Sequence, residues 1–569
     1  DKAGVRFVKA RIHSVEQAGP ERALHLRYVD EAGGLQEEAF DMVVLSVGLQ
    51  VAAETRELAE RLGVALDRYR FAVSPPFIPV ATSRPGVFAC GVFQQPKDIP
   101  GSVAEASAAA CLAGRLLAPA RNRLTRQVDV PAEVDVRAEA PRIGVFVCNC
   151  GVNIAGVVDV PAVVEHARRL PHVAFAGQNL FTCSQDSQEQ MKQVIAEHRL
   201  NRVVVAACSP KTHEGIFMDT LEATGRNKYL LEMANIRNQD SWVHAQSPQR
   251  ATTKAKELVH MAVARAGTLS PLQEKIIPVN PRALVIGGGV AGMNAAVAIA
   301  DQGYEVVLIE KEERLGGMAN RLHATIEGWD VPHYLQELIG RVQSHPRVQT
   351  LTRALVVGFS GFKGNFTTEV LVGPAMYERK IDHGVVILAT GAVEYQPAEY
   401  LYGRDPRVVT QVELGDRLHA KGAQDLSYVV MIQCVGSRNE QNPNCSRVCC
   451  QNAVKNAVAI KKLNPDTQVI VLYRDIRTYG LLEDYYQEAR RLGVLFFRFE
   501  AERPPQVEAG DGGGLVKFRD AIIDRDLQVG GWAVGDKHDV HRRRAGDRGA
   551  AGRVAAEVPA AHEFHGGAV

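Results

Sequence analysis

The sequence predicts an α/β protein of several domains, and three observations carry that expectation. Its 569 residues are 46% hydrophobic, which is enough apolar material for several packed cores. Fifty glycines with only 6% aromatic residues suit many tight strand-to-helix turns better than an all-β sandwich. Residues 283–310 spell out one such unit: an apolar strand, a glycine turn, a helix of small residues and a second apolar strand ending in acid. Charge excludes other classes. The 66 Lys+Arg against 65 Asp+Glu leave a formal charge of +1 and no long basic block, so neither nucleic acid nor an anionic membrane is an expected partner. The longest low-polarity run, residues 283–300, approaches the length of a membrane span but holds a glycine cluster and Asn294, so it reads as strand, turn and helix. No transmembrane segment or secretory signal is expected, and the expected compartment is the cytoplasm.

In chain order, the first marked element is Asp41-Met42-Val43-Val44-Leu45-Ser46-Val47-Gly48, which reads as an apolar strand closing on a small turn. A helix of small residues follows within 86–110, where Ser102, after Pro100 and Gly101, is the expected N-cap. Cys90 and Cys111, isolated among Ala and Gly, read as packing residues. Residues 118–140, rich in Pro, Arg and Ala, read as a linker.

The other eight cysteines form two sets of four. The first is Cys148-Asn149-Cys150-Gly151 with Cys183 and Cys208; the second is Cys434 with Cys445, Cys449 and Cys450. Four thiolates are what a cubane iron–sulfur cluster or a tetrahedral zinc needs, since each metal site takes a soft anionic ligand at every corner. Zinc favours paired C-x2-4-C knuckles, and neither set supplies a pair. Buried structural cysteines are the simpler alternative. Arg438 and Arg447 beside the second set would offset thiolate charge, or stand as ordinary solvated arginines.

In the strand–turn–helix unit, Gly287, Gly289 and Gly292 occupy the G-x-G-x-x-G positions that let a backbone turn sharply and approach a pyrophosphate at a helix N-terminus. Glu310 lies where a carboxylate can accept ribose hydroxyls, which argues against a 2'-phosphate cofactor. Two later features, Lys311 to Gly317 with Gly316, and the strand Val385 to Leu388 running into Ala389-Thr390-Gly391, resemble the pattern of two-dinucleotide-binding flavoproteins and imply FAD. In that pattern the next such unit binds a nicotinamide cofactor. Here its strand, Tyr428 to Gln433, runs into Cys434 and the second cysteine set, so the flavin is expected to exchange electrons with iron–sulfur rather than hydride with a pyridine nucleotide.

Residues 143–505 closely resemble the heterodisulfide reductase A-subunit family, whose members are flavin and iron–sulfur proteins. The likeness runs through VFVCNCGVNIAGVVDV at 145–160, NLFTCSQDSQEQ at 179–190, VVAACSPKTHE at 204–214, EMANIRNQDSWVH at 232–244, SGFKGNFTTEV at 360–370 and CVGSRNEQNPNCSRVCC at 434–450 with YRDIRTYG downstream. The resemblance implies a thioredoxin-reductase-like two-dinucleotide-binding flavoprotein domain with an additional α/β CxCG domain. It implies a 4Fe-4S cluster on Cys434, Cys445, Cys449 and Cys450, and a second on Cys148, Cys150, Cys183 and Cys208. It further implies an oxidoreductase subunit of a larger complex, with flavin-based electron bifurcation, partner heterodisulfide-reductase-like subunits and a hydrogenase or dehydrogenase as electron donor. No C-x2-C-x2-C-x3-C-P run occurs in the sequence, so a low-potential branch is expected to leave through a partner. A flavin subunit of a quinone-linked membrane complex and a zinc-stabilised assembly module are the alternatives. No acid–base catalytic residue is expected; His213 reads as a surface or core histidine.

Residues 1–120 resemble the C-terminal part of the same family, and GVRFVKARIHSVEQ at 4–17 parallels GVLFFRFEAERPPQVE at 493–508. The expected organisation is therefore 1–120, the C-terminal lobe of an upstream copy; 121–140, linker; 141–278, CxCG domain; 279–400, FAD-binding domain; 401–490, a second Rossmann-like subdomain carrying cysteines; 491–529, a return to the FAD domain; and 530–569, an irregular tail. The lobe of residues 1–120 is expected to dock where the second copy lacks its own. The tail has charge, His and Gly without periodicity, and a shift of reading frame near residue 530 would account for it: one set of codons for Ala545 to Gly552, read one base later, gives P-E-T-A-E-L-L, echoing A-E-T-R-E-L-A at 53–59. His538, His541, His562 and His565 in the tail are not expected to bind metal.

Overall fold

Short apolar runs separated by glycine turns become parallel strands here, and the same arrangement is used three times. The computed structural model describes residues 4–8, 10–18, 23–30, 33–126, 129–510 and 513–530. The expected frame-shifted tail, with its four histidines, lies outside them. The chain forms two compact units, Asp1–Ala120 with Val279–Val569, and Arg121–Pro278.

The N-terminal segment opens with an antiparallel sheet of β1 (Arg11–Ala18), β2 (Ala23–Val29) and β3 (Leu35–Phe40). Residues 41–50 form no strand, contrary to the expectation from their apolar run. A strand exists only by hydrogen-bonding to a neighbour, and this run has none among the described residues. Helix α1 (Ala53–Leu62) ends at Gly63, whose φ of 66° only glycine adopts without strain. Helix α2 (Ile99–Leu117) starts earlier than expected. Its N-cap is Asp98, whose carboxylate accepts the Gly101 N–H at 2.8 Å, while the Ser102 hydroxyl donates to the Asp98 carbonyl. Pro100 belongs to the first helical turn, where its missing N–H costs nothing, so the cap precedes it. Cys111 is half-buried as a packing residue would be, but Cys90 is exposed.

The unit of residues 121–278 carries β4 (Ile143–Cys148), α3 (Val160–Arg168), β5 (Val173–Asn179), α4 (Gln185–Glu197), β6 (Arg202–Ala207), α5 (Pro210–Glu222), β7 (Leu231–Asn235) and α6 (Pro248–Ala266). Its strands run parallel in the order β5-β4-β6-β7. Every residue of β4 and β6 is buried, as expected of central parallel strands covered on both faces.

The rest of the other unit consists of two halves built on one plan. The first contains β8 (Ala283–Ile286), α7 (Val290–Ala300), β9 (Val306–Ile309), α8 (Val331–Ser344) and β10 (Val348–Leu351), then an antiparallel meander of β11 (Ala354–Phe362), β12 (Asn365–Val372) and β13 (Tyr377–His383), and a return strand β14 (Val385–Leu388). The parallel order is β10-β9-β8-β14. One face packs on Met293, Ala296, Leu335 and Leu338 of the helices, and the other places Leu284, Val307 and Ile309 against Val370 and Ile381 of the meander. The second half contains α9 (Gln411–Lys421), β15 (Tyr428–Ile432), α10 (Cys449–Leu463), β16 (Gln468–Tyr473), α11 (Glu483–Arg491) and β17 (Leu495–Arg498), then a meander of β18 (Gln506–Gly510), β19 (Gly513–Asp520) and β20 (Arg525–Gly530). Its parallel order is β15-β16-β17. Residues 491–529 therefore do not return to the first half. Ile470 and Leu472 of β16 bury against Val516 and Phe518 of the meander, which completes the second half instead.

The N-terminal segment is tied to both halves. The Phe77 ring stacks on Tyr334 of α8 at 3.9 Å, Arg115 of α2 pairs with Asp301 at 3.3 Å, and the Tyr69 hydroxyl donates to Asp484 of α11 at 2.6 Å. Ile99–Ala120 is long and apolar enough to cross a membrane by length and composition, but its Glu105 and Arg115 sit in ion pairs with Lys97 and Asp301.

Candidate functional site

Eight of the nine predicted dinucleotide residues gather where β8 turns into α7. A Cβ on Gly292 would lie 1.8 Å from the Gly287 carbonyl oxygen, and one on Gly287 would lie 2.2 Å from the Ala389 oxygen at a φ of +113°, so both positions require glycine. Gly289, the N-cap of α7, has open space on its Cβ side, which is where a diphosphate could approach the helix N-terminus. The Gly316 N–H donates to the Gly288 carbonyl at 2.8 Å and Gly317 backs onto Gly289, closing the 311–317 loop over the turn. The strand before Thr390 and Gly391 docks through the Ala389 N–H, which donates to the Ile286 carbonyl at 2.8 Å. Lys311 is the exception, solvent-exposed and paired only with Glu312 at 3.8 Å.

Glu310 is buried, and its carboxylate accepts the Gly288 N–H at 2.7 Å and the Glu312 N–H at 2.8 Å. An ionised carboxylate has about four lone-pair sites, so two remain for ribose hydroxyls. The residue thus does more than sequence reasoning gave it: it also fixes the turn. A crowded glycine turn, an open helix N-terminus and a half-satisfied carboxylate fit a dinucleotide such as FAD.

In the second half the corresponding turn, from β15 into α10, holds cysteines. Cys434 follows β15, and Cys449 and Cys450 open α10. Between them Cys434, Gly436, Arg438 and Arg447 all have φ near +60°, three of them non-glycine residues in the left-handed region. Each non-glycine residue in that region costs backbone strain, which the surrounding structure must hold in place. The Arg438 guanidinium donates to the Cys434 sulfur at 3.9 Å and to Asp475 at 2.7 Å; the Arg447 backbone N–H, rather than its side chain, donates to the Cys445 sulfur at 3.4 Å. Burial pushes the Cys434 thiol up, against the pull of Arg438. A hydrogen bond between the Cys449 and Cys450 thiols draws Cys449 down to about 6 and pushes Cys450 up.

Among the described residues no three His, Cys, Asp or Glu side chains are gathered for a single metal ion. A cubane instead distributes four thiolates over four irons, and a loop that carries four cysteines, with N–H donors aimed at the Cys434 and Cys445 sulfurs, fits that chemistry.

Tyr395, four residues beyond Gly391, was not found by sequence reasoning. Its ring lies on Gly436, where an added Cβ would come within 2.3 Å of it, so the chain leaving β14 past Gly391 leads directly to the cysteine loop. No motif marks it; only the tertiary contact does. Beside this loop is a cavity of about 1400 Å³, lined by Met318, Tyr400, Val430, Ile432, Cys434 and Cys449 among others.

In the unit of residues 121–278 the first cysteine set lies at the C-terminal ends of the parallel strands: Cys148 ends β4, Cys150 follows it, Cys183 precedes α4 and Cys208 follows β6. Burial pushes the Cys150 and Cys208 thiols up, and Arg237 counters this in both. Asp240, three residues on, is fully buried, and neither carboxylate oxygen has a hydrogen-bond partner among the described residues, so desolvation raises it to about 6. Sequence reasoning missed it inside the 232–244 motif. His213 is half-buried on α5.

A family model described as FAD dependent oxidoreductase matches residues 283–397. The chain is 36% identical over 481 residues to the A-subunit of the H(2):CoB-CoM heterodisulfide,ferredoxin reductase of Methanothermobacter marburgensis, covering 68% of this chain and 72% of that one. It is also 36% identical over 453 residues to an iron-sulfur A-subunit of the CoB--CoM heterodisulfide reductase of Methanopyrus kandleri, covering 63% and 69%. Among solved structures, T. acidophilum thioredoxin reductase matches with a TM-score of 0.31 and 16% identity over 44% of this chain and 74% of that one.

Proposed function

We propose that this chain, which belongs to the heterodisulfide reductase A-subunit family, passes electrons from FAD on the β8–α7 turn to an iron–sulfur cluster on the β15–α10 turn, and from there to partner subunits. As a member of that family it is an oxidoreductase with an FAD-dependent domain, working among other subunits. The observation that carries the finer reading is the exchange at equivalent turns: glycines in the first half, cysteines in the second.

Gly287, Gly289 and Gly292 would hold the diphosphate, and Glu310 the ribose. Gly316 and Gly317 would close the loop beneath, with Thr390 and Gly391 beside the ring system and Lys311 at the rim. Cys434, Cys445, Cys449 and Cys450 would hold a 4Fe-4S cluster. Flavin supplies exchange between two-electron and one-electron chemistry, and the cluster a one-electron site. Arg438 offsets thiolate charge, and Asp475 holds Arg438 in place. The step from Gly391 to Tyr395 to Gly436 supports a short path between the two. Cys148, Cys150, Cys183 and Cys208 would hold a second cluster. We further read the complex as bifurcating: a two-electron donor, from a hydrogenase or dehydrogenase, feeds one high-potential and one low-potential acceptor, the latter through a partner.

Anaerobic purification tests this reading. The expected preparation contains flavin with iron and acid-labile sulfide, and heterodisulfide-reductase-like subunits co-purify. Zinc with neither flavin nor iron would replace it with a structural module, and co-purifying quinone-linked membrane subunits would replace the acceptors.

A further inference from the structure

The two halves differ in one strand. In the first, β8 is flanked on both sides, by β9 and by β14, and β14 follows directly on the meander β11–β13. In the second, β15 is at the edge of its sheet and pairs with β16, and the meander β18–β20 is not followed by a return strand among the described residues. Residues 531–569 contain no run of large aliphatic residues that could supply one. The cavity of about 1400 Å³ runs along that edge, lined by Val429, Val430 and Ile432 of β15 and by Val507, Val516 and Val529 of the meander. It borders the cores on both faces of the sheet, as the place of an absent parallel strand would.

A segment of matching kind is present elsewhere in the chain. Residues Met42 to Gly48 follow directly on the meander β1–β3, as β14 follows β11–β13. Val43-Val44-Leu45-Ser46-Val47-Gly48 matches Val386-Ile387-Leu388-Ala389-Thr390-Gly391 in its aliphatic run, small fourth residue and terminal glycine. Yet Met42, Val44, Leu45 and Val47 are 74%, 79%, 73% and 81% exposed. Four large apolar side chains in water, on a segment without sheet partners, imply a docked state in which they are covered.

We propose that Met42–Gly48 adds as a fourth, parallel strand to the β15 edge of the same chain, in the position β14 holds beside β8, with the cavity as its seat. The same chain is the source because its next residues are already anchored to this half: Arg68 and Tyr69 bond to Asp484 on α11, the helix between β16 and β17. Between Gly48 and Arg68, α1 spans about 15 Å and the remaining residues roughly 30 Å when extended, enough to reach across the sheet. The β1–β3 meander then stands beside the face that β18–β20 already covers. Docking would enclose the strand that delivers Cys434. This inference rests on topology and does not depend on the cofactor reading.

Hydrogen–deuterium exchange on the full chain, purified anaerobically, tests it with Val44→Pro: Val44 matches Ile387, two residues before Ala389, whose N–H donates to the Ile286 carbonyl, so the Val44 N–H should face β15 and proline there removes a ladder bond. Val44→Thr is the strand-compatible control. In the wild type, the Val44 and Ser46 amides and the β15 amides that face away from β16 are expected to exchange slowly together. Val44→Pro should speed Ser46 and those of β15 by about tenfold or more while β8 and β9 stay protected, and Val44→Thr should retain the protection. Fast exchange at both Val44 and Ser46 in the wild type, or an unchanged β15 in Val44→Pro, would overturn the proposal. So would a dimer by light scattering that Val44→Pro dissociates, since the strand would then come from a second copy.

Discussion

The two halves of the larger unit share the order of their first three parallel strands, the helices between them and a meander, and differ in the return strand and at the turn after their first strand. In the first half this turn is made of glycines packed so tightly that a Cβ at Gly292 would meet a carbonyl oxygen at 1.8 Å. In the second it is a longer loop with four cysteines and three non-glycine residues in the left-handed region. The fold sets where the turn is; the residues in it set what it can bind. In the proposed reading, one turn would offer backbone N–H groups to a diphosphate and the other sulfur to iron.

Four substitutions separate these roles. The largest effect is expected at Gly292→Ala, where close backbone contact leaves no room to relax. FAD retention should fall by more than about tenfold, roughly 1.4 kcal/mol or more, with iron content unchanged in flavin and metal assays. If flavin and iron fell together, the halves would not be independent. Next, Cys449→Ser should lower iron by about half, the share of one of the two proposed clusters, while flavin absorbance persists, because one of four thiolate corners is gone. Equal iron in both proteins would place the metal elsewhere.

The remaining two are smaller. Asp240→Asn should change the pH dependence of the 121–278 unit. Asp240 is raised from 3.8 to about 6 by burial, so between those values the native state holds a proton the unfolded state has lost, and stability falls as pH rises through this window. The full effect is about 3 kcal/mol. Melting curves from pH 4 to 7 should flatten in the variant, and parallel curves would mean Asp240 is hydrated or paired. Glu310→Gln keeps one acceptor but loses the charge. It should weaken flavin retention several-fold, by about 1 kcal/mol, measured by dialysis. No change would mean the Gly288 and Glu312 contacts are all the residue does.

Much of this was legible in sequence because it is local. The glycine spacing, Glu310 and the apolar run of 283–286 lie within one continuous stretch and define the turn by themselves. The cysteine loop was legible as a group of four cysteines after a strand, but not its left-handed residues or the use of the Arg447 backbone rather than its side chain. Tyr395 and Asp240 were missed because their roles come from tertiary contact and from burial without partners, which no spacing encodes. Residues 491–529 were assigned to the wrong half because a repeat in sequence does not say which sheet a meander covers. The strand expected at 41–48 failed for a related reason: periodicity identifies an apolar run, but a strand also needs a neighbour.

Anaerobic reduction followed by electron paramagnetic resonance tests the central claim most directly, that electrons from the flavin reach iron held by the second half's cysteines. The wild type should bleach its flavin band and show a reduced iron–sulfur signal. The Cys434→Ser and Cys449→Ser variants should still bleach the flavin but lose the component of that signal due to this cluster, leaving any from the cysteines of residues 121–278. A signal unchanged in both variants would contradict the account.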